Sequence, residues 1–379
     1  MNDDLCSISS NSLDKKHIIL IEPFFTGSHK KWAEQLAANS HHDIDILSLP
    51  GRHWKWRMHG AAITLAESVL ALKDKPDLFL VTDMIQLSVF KALISAQFPD
   101  VPIAVYFHEN QITYPWSQTD PDISLRRDNH YGFINYTSAL IADLVLFNSH
   151  FHKQSFLESL PDFLQQFPDY HNLSSIQKII DKSQVLYVGI NKPHLIPTNR
   201  QHKPKTILWN HRWEYDKNPE LFFKLLQRIK AEKIKFRLIV VGESTQKHPA
   251  IFNKVKEMFR EELIHFGYVD DPEKYIQLLQ ASDLLPVTAI QDFFGISTIE
   301  AIAHGVHPLL PNRLVYPEHI PDMQKENCLY DEDEDLYQKM KTFLTSNKRS
   351  LDFSWVEKYY WDNLIEEYDT VLGRPMLVD

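Results

Sequence analysis

Two cations stand just after an apolar run in the second half of the chain, Arg212 and Lys217, in TILWNHRWEYDKNPELFFKLL. Asn218-Pro219 has the form of a helix start, with Asn at the N-cap and Pro at the first helical position. Lys217 is then placed at a helix N-terminus, where free N–H groups and partial positive charge already favour an anion. Arg and Lys added there make a site for a diphosphate. The plainer alternative is a pair of surface cations. Further on, Asp292-Phe-Phe-Gly-Ile-Ser-Thr-Ile-Glu300 opens another helix after DLLPV. Gly295 at that turn lets a ligand approach backbone N–H groups closely. Two carboxylates, one on the entry loop and one in the helix, can hold two separated polyols. Taken singly, Asp292 reads as a helix cap and Glu300 as an exposed helical side chain.

The first half offers different chemistry. HIILIE is followed by PFFTGSHKKWAEQL, where Gly27 and Ser28 read as a turn and a helix N-cap able to face phosphate. The full G-x-G-x-x-G of a dinucleotide site is missing. PIAVYF ends in His108-Glu109-Asn110. A histidine at a strand end can hydrogen-bond a substrate hydroxyl or donate to a leaving oxygen, although a lone His is more often structural. Arg52-His-Trp-Lys-Trp-Arg57 holds three cations (Arg52, Lys55, Arg57), two tryptophans (Trp54, Trp56) and no acid. On a loop after IDILSL, it can stack on an unpaired base and contact phosphates. Otherwise the tryptophans are partly buried and the cations are merely solvated.

These residues need elements to hold them. Short apolar, β-branched runs recur at 17–22, 44–49, 78–82, 102–107 and 143–148, and again at 206–210, 236–242, 264–267, 283–287 and 307–311. They alternate with amphipathic stretches such as 85–97, 219–233 and 334–345. Near-continuous apolar strands alternating with helices predict parallel sheets covered on both faces. The pattern starts twice, on either side of the proline-rich stretch 189–205, which reads as a linker. The expectation is an α/β chain of two Rossmann-like domains, 1–190 and 191–353, facing across a cleft at the carboxyl ends of their strands. The aromatic segment within 354–379 is read as a helix that crosses back to the first domain.

Composition narrows the function classes. The 379 residues carry 40 Lys+Arg against 50 Asp+Glu, a formal charge of −10, so nucleic acid would have to be met by a local patch. Two cysteines, Cys6 and Cys328, build no disulfide framework and suit a reducing compartment. The acidic, polar start MNDDLCSISSNSLDKK is no signal peptide, and no apolar run reaches the roughly 18 residues of a membrane span. A cytoplasmic protein is expected. Only ten glycines are present, against a usual share of roughly 7%, which adds weight to Gly27, Gly242, Gly295 and Gly305.

Taken together the motifs resemble a family. Asp292 to Glu300 with Phe-Gly inside, then Ala301, Ala303 and Gly305, resembles the Glu-x7-Glu signature of family 4 retaining glycosyltransferases, with Asp292 in place of Glu. Arg212 and Lys217 match that family's Arg-x4-Lys loop. Ile21-Glu-Pro-Phe-Phe-Thr-Gly-Ser-His-Lys30, Tyr106-Phe-His-Glu-Asn-Gln-Ile-Thr-Tyr-Pro115, His211-Arg-Trp-Glu-Tyr-Asp-Lys217 and Leu314-Val-Tyr-Pro-Glu318 narrow it to the tRNA-queuosine α-mannosyltransferase family. The resemblance runs over nearly the whole chain from about residue 17. It implies a GT-B fold and transfer of mannose from GDP-mannose to the cyclopentenediol of queuosine in tRNA-Asp. By the same resemblance, Glu300 holds the nucleotide ribose, and Arg212 and Lys217 hold the diphosphate. Gly27 and Ser28 flank it, His108 sits by the sugar, and Asp292 reaches a sugar hydroxyl. Phe294, Gly295 and Ile296 belong to the donor-binding turn. Glu109, Asn110 and the 52–57 segment are acceptor candidates. No Asp-x-Asp metal motif is apparent among the stretches that carry the resemblance, and no metal or other cofactor is expected. Neither membrane docking nor a protein partner is indicated. The alternatives are a family 4 enzyme with another sugar donor or a lipid or saccharide acceptor, and a non-catalytic binder of modified tRNA.

Overall fold

The computed structural model describes residues 14–117, 120–125, 129–194, 204–244, 249–346 and 352–374. The expected tail with Cys6, much of the expected linker (195–203) and residues 375–379 lie outside this set. All ten apolar runs form strands. The first sheet contains β1 (His17–Phe25), β2 (Asp43–Pro50), β3 (Leu78–Thr82), β4 (Ile103–Phe107), β5 (Leu144–Phe147) and β6 (Ser183–Val185) in the order β2-β1-β3-β4-β5-β6. The second contains β7 (Thr206–Trp209), β8 (Arg237–Val241), β9 (Leu263–Gly267), β10 (Leu284–Pro286), β11 (His307–Pro311) and β12 (Leu329–Tyr330) in the order β12-β11-β10-β7-β8-β9. Every pairing is parallel.

Burial on both faces explains the apolar runs. Along β1, Ile19 and Ile21 enter one core cluster while Ile18 and Leu20 enter the other. This is the two-residue alternation of a strand whose two faces are both covered. Helices cross between strands. Those that matter for the site are α1 (Gly27–Asn39), α2 (Trp54–Leu70), α3 (His150–Gln165), α4 (Pro219–Ala231), α5 (Ile296–Ala303) and α6 (Trp361–Gly373). Among the described residues no helix is long and apolar enough to cross a membrane.

The final segment does return to the first sheet, but not as one helix. Ser354–Tyr359 is a 3-10 turn, Tyr360 is extended, and α6 begins at Trp361. The break lets the chain pair with Ile190: the Ile190 N–H donates to the Tyr359 carbonyl at 2.8 Å, and the Trp361 N–H to the Ile190 carbonyl at 3.0 Å. Trp361 lies over Gly189, where an added Cβ would meet its ring at 2.4 Å. Trp361 Nε1 donates to Gln35 at 2.8 Å, and Trp32 Nε1 donates to the Tyr368 hydroxyl at 3.1 Å. Phe294, Ile299 and Ile302 from the second half join the same apolar cluster as α6 and Trp32. One core therefore ties the two sheets and the last helix together, and it fixes the cleft between them.

Candidate active site

The second half supplies one wall of the cleft. After β7 the chain turns at Asn218, in the left-handed region at φ +50, and its side chain accepts from the Leu221 N–H. Pro219 then begins α4, as the Asn-Pro pair predicts. Lys217 sits just before this turn and is buried. Its Nζ lies 3.1 Å from both Asp216 Oδ2 and Asp292 Oδ2 and donates to the Gln291 carbonyl at 2.8 Å. Burial opposes its charge, but Asp292 and Asp216 outweigh that and hold the ammonium above its ordinary range. Asp292 also accepts from the Tyr316 hydroxyl at 2.6 Å. Arg212 is exposed, with Nη1 3.3 Å from Glu214 Oε2. Gly295, at φ +72, opens α5, a conformation that costs other residues a Cβ clash.

The other wall grows from β1 and β4. Thr26 takes the N-cap position, Gly27 opens α1 at φ +50, and Ser28 stands inside the first turn rather than at the cap. An added Cβ on Gly27 meets nothing within 4 Å, so the first turn of this helix is open to a ligand. Behind it, Glu22 is fully buried; it accepts from the Phe24 N–H at 2.8 Å, and its other oxygen is 3.3 Å from His29 Nδ1. Burial opposes a charge on His29, but Glu22 raises the imidazole to about 9. The His29 and His108 rings are 4.2 Å apart. His108 is pushed well below the ordinary imidazole value by burial first, with His29 beside it acting in the same direction. Its backbone N–H donates to Asp83 at 2.8 Å, and burial raises Asp83 to about 8.

The walls meet in one cavity. Ser28, His29, His108 and Glu109 line it from the first half. Arg212, Lys217, Gln291, Asp292 and the Phe294–Ile296 turn line it from the second. The motifs that looked most distinctive in the sequence are what clasp the halves. The Tyr114 hydroxyl donates to Asp216 at 3.1 Å, and the Tyr215 hydroxyl donates to the Pro115 carbonyl. Glu318 accepts from the first N–H groups of α3, His150 at 3.0 Å and Phe151 at 2.9 Å, a carboxylate at a helix N-terminus.

Not every expected residue stands in the cavity. Gly27 and Glu300 are outside its lining: one Glu300 oxygen pairs with Lys31 from the opposite half, and the other accepts from the Tyr275 hydroxyl at 3.2 Å. Asn110 is fully buried and its Oδ1 holds the turn that follows, accepting from the Ile112 N–H at 3.1 Å and the Thr113 N–H at 3.0 Å. It shapes the loop rather than facing a substrate. The 52–57 segment is not a loop either. His53, at φ +57, precedes α2, so Trp54–Arg57 is the first turn of a helix. Trp54 packs against Tyr131, with centroids 5.1 Å apart, and Lys55 is paired with Asp120 at 2.6 Å and with Asp122. Of the candidates for RNA, Arg52, Trp56 (64% exposed) and the half-exposed Arg57 remain open to solvent.

Glu22, His29, Asp83, Tyr114 and Asp216 were not legible as site residues. Glu22 and His29 lay inside the distinctive 21–30 motif, which was the available signal. Glu22, His29 and His108 bring donor atoms within 4.8 Å of one another. Both Glu22 oxygens already accept N–H donors, one of them from His29, so the Glu22–His29 contact reads as an ion pair beside His108.

Known proteins resemble the chain over both halves. Residues 17–190 match the family described as tRNA-queuosine alpha-mannosyltransferase N-terminal, and residues 193–355 match glycosyl transferases group 1. The chain is 35% identical over 346 residues to the tRNA-queuosine alpha-mannosyltransferase of Drosophila melanogaster, covering 88% of each. Among solved structures, it resembles the apo form of a lipopolysaccharide outer core galactosyltransferase (TM-score 0.60, 13% identity, 93% of this chain and 98% of that one). It also resembles sucrose-phosphate synthase from Thermosynechococcus elongatus (TM-score 0.63, 14% identity, 95% of each). These structural likenesses establish the GT-B type of fold.

Proposed function

The chain belongs to the tRNA-queuosine alpha-mannosyltransferase family, and from that premise we propose that it moves mannose from GDP-mannose to the cyclopentenediol of queuosine in tRNA-Asp, in the cytoplasm and with retention at the anomeric carbon. It is a glycosyltransferase; the donor, the tRNA and the roles below are our reading. The observation that carries it is the cavity itself, where the first turns of α1 and α5 and the cations Lys217 and Arg212 face His108.

The diphosphate lies between the two helix N-termini, where N–H groups and dipoles favour it. Lys217 and Arg212 meet the negative charge that grows on the phosphate as the glycosidic bond breaks. Asp292, fixed by Lys217 and Tyr316, takes a sugar hydroxyl, and His108 takes another from the opposite wall. Glu300 takes the ribose hydroxyls, sharing its carboxylate with Lys31. The attacking hydroxyl enters from the face that the phosphate leaves. The C–O bond to phosphate breaks, a new C–O bond forms, and the acceptor proton passes to the departing phosphate oxygen. No divalent ion is needed where the protein supplies the positive charge. Glu109 stands on the acceptor side, and Arg52, Trp56 and Arg57 meet the anticodon arm.

Incubation of the protein with GDP-mannose and queuosine-containing tRNA-Asp tests this. The nucleoside digest should show queuosine heavier by one hexose. The same tRNA carrying guanosine in place of queuosine should stay unmodified. Labelling of both, or of neither, contradicts the reading.

A further inference from the structure

Two imidazoles lie ring to ring at the floor of the cleft, and they are held very differently. His29 is 8% exposed and 3.3 Å from a fully buried carboxylate, Glu22. His108 is held by its backbone, its N–H on Asp83 and its carbonyl on Asn148, both at 2.8 Å. Its ring is wedged between Trp32 and Tyr106, with centroids 4.6 and 4.9 Å away. Its Nε2 is buried and has no partner among the described residues, on a side chain that lines the cavity. Buried polar atoms are rarely left so, and an unpaired one is a place to look for function.

Two rings 4.2 Å apart in a buried place cannot both carry a charge without strong repulsion. Glu22 decides which does. Its first oxygen is pinned by the Phe24 N–H, so the second stays aimed at His29. We propose that Glu22 and His29 are positioning residues for His108: they confine the positive charge to His29 and so keep His108 a neutral ring whose Nε2 hydrogen-bonds the transferred sugar. The proposal rests on the sugar-transfer reading above.

The other groups facing the pair are consistent with that division. Asp83, behind β3, is raised to about 8 by burial, so near neutral pH it does not draw a proton onto His108 as a full anion would. His152 on α3 is pushed well below its ordinary value by burial and is tied to Asn148 Oδ1 at 2.8 Å. Glu109 follows His108 and adds negative charge on the His29 side. The chemistry gives the division a purpose. Positive charge develops on the sugar ring as the glycosidic bond breaks. An imidazolium against that ring would oppose it, whereas a neutral imidazole would not.

The test is ring 15N NMR of the full-length protein, its signals assigned with His29→Gln and His108→Gln, beside the pH dependence of kcat. In the wild-type protein near neutral pH, His29 should show both nitrogens protonated and His108 only one. Glu22→Gln should remove the imidazolium signal of His29. It should lower kcat on the acid side of neutrality, about tenfold one pH unit below 6.5, with little change in KM for GDP-mannose. Its kcat should then rise with pH through the ordinary imidazole range near 6.5, where the wild-type rate is flat. A neutral His29 or a charged His108 in the wild-type protein overturns the proposal, even if Glu22→Gln fails to fold. So does a folded Glu22→Gln protein with wild-type kcat and pH profile. The NMR arm needs no substrate, so absence of mannosyl transfer by the wild-type protein overturns the sugar-transfer reading separately.

Discussion

On the second-half wall of the cleft, the positive groups are an ammonium and a guanidinium, each matched by carboxylates: Lys217 by its neighbour Asp216 and by Asp292 of the other motif, and Arg212 by Glu214. On the first-half wall, the positive group is an imidazole matched by a carboxylate seven residues away on a strand, His29 by Glu22. Both walls begin from a helix opened by a left-handed glycine, Gly27 or Gly295. The difference lies in what each charge does with pH and with a ligand. Lysine and arginine keep their charge throughout the physiological range, which suits a permanent diphosphate. The imidazole keeps its charge only while Glu22 enforces it, which suits adjustment of a neighbouring ring against a sugar.

Removing Lys217 should damage the second wall most. Lys217→Ala leaves Asp216 and Asp292 facing each other without their cation. Phosphate charge grows toward the transition state, so kcat should fall by roughly 100- to 1000-fold, and GDP affinity by much less. Equal losses in kcat/KM and in GDP binding would show that Lys217 serves only the ground state.

Glu300→Ala comes next. A charge-assisted hydrogen bond is worth about 1.5–3 kcal/mol, so GDP should bind about 10- to 100-fold more weakly by calorimetry. The cross-cleft ion pair sharpens this. Lys31 is about half exposed, so Lys31→Ala should weaken GDP binding by less than tenfold, the scale of an exposed pair. Unchanged GDP affinity in Glu300→Ala would remove Glu300 from the donor site.

Stability should divide the two kinds of histidine. His108, His152, His211 and His319 lie below the ordinary imidazole value, burial being the first cause in each. They are neutral in the fold and take up protons on unfolding, so stability falls as pH drops below about 6.5. His59, His304 and His307 are lowered by burial too, and against these seven rings only two carboxyls, Asp83, raised to about 8, and Glu214, work the other way in acid among the described residues. The contribution of His29 is complete below about 6.5 and is lost as pH rises through about 9. The melting temperature should therefore fall on both sides of neutrality, and Glu22→Gln should blunt only the alkaline side. An alkaline limb unaltered in Glu22→Gln would mean the pair does not hold its charge.

The smallest effects are expected at the RNA face. Arg52→Glu with Arg57→Glu should raise KM for tRNA and make it less salt-sensitive, with GDP-mannose kinetics unchanged. Trp56→Ala should raise KM for tRNA by about fivefold or more if it stacks a base. Lys55→Glu should instead cost stability, because it sets a third acid beside Asp120 and Asp122. Wild-type tRNA kinetics in a folded Arg52→Glu, Arg57→Glu protein would move the RNA surface elsewhere.

The same contrast governs what could be read from the residues alone. The second wall was legible because its residues flank helix starts: Asn218-Pro219 announces one, and Arg212, Lys217 and Asp292 precede such starts. The first wall was half legible. Gly27, Ser28 and His108 follow strands, but Glu22 sits within an apolar run and acquires meaning only once α1 folds His29 back over it. Tyr114 lay inside the 106–115 motif, but its partner Asp216 is 102 residues away, and Asp83 depends on contacts no local pattern carries. Ten strands were legible, whereas β6 and β12 are edge strands of three and two residues, too short to leave a pattern. The first turn of α2 was hidden because His53, not Ser, Thr, Asp or Asn, precedes it.

In the proposed reaction the protein's own cations, and not a metal ion, take the charge of the leaving diphosphate. Its most direct test is mannosyl transfer from GDP-mannose to queuosine-containing tRNA, measured after exhaustive chelation and again after magnesium is added back. The account predicts the same kcat in both, with Lys217→Ala deficient in both. A rate that collapses with chelator and returns with magnesium would contradict it.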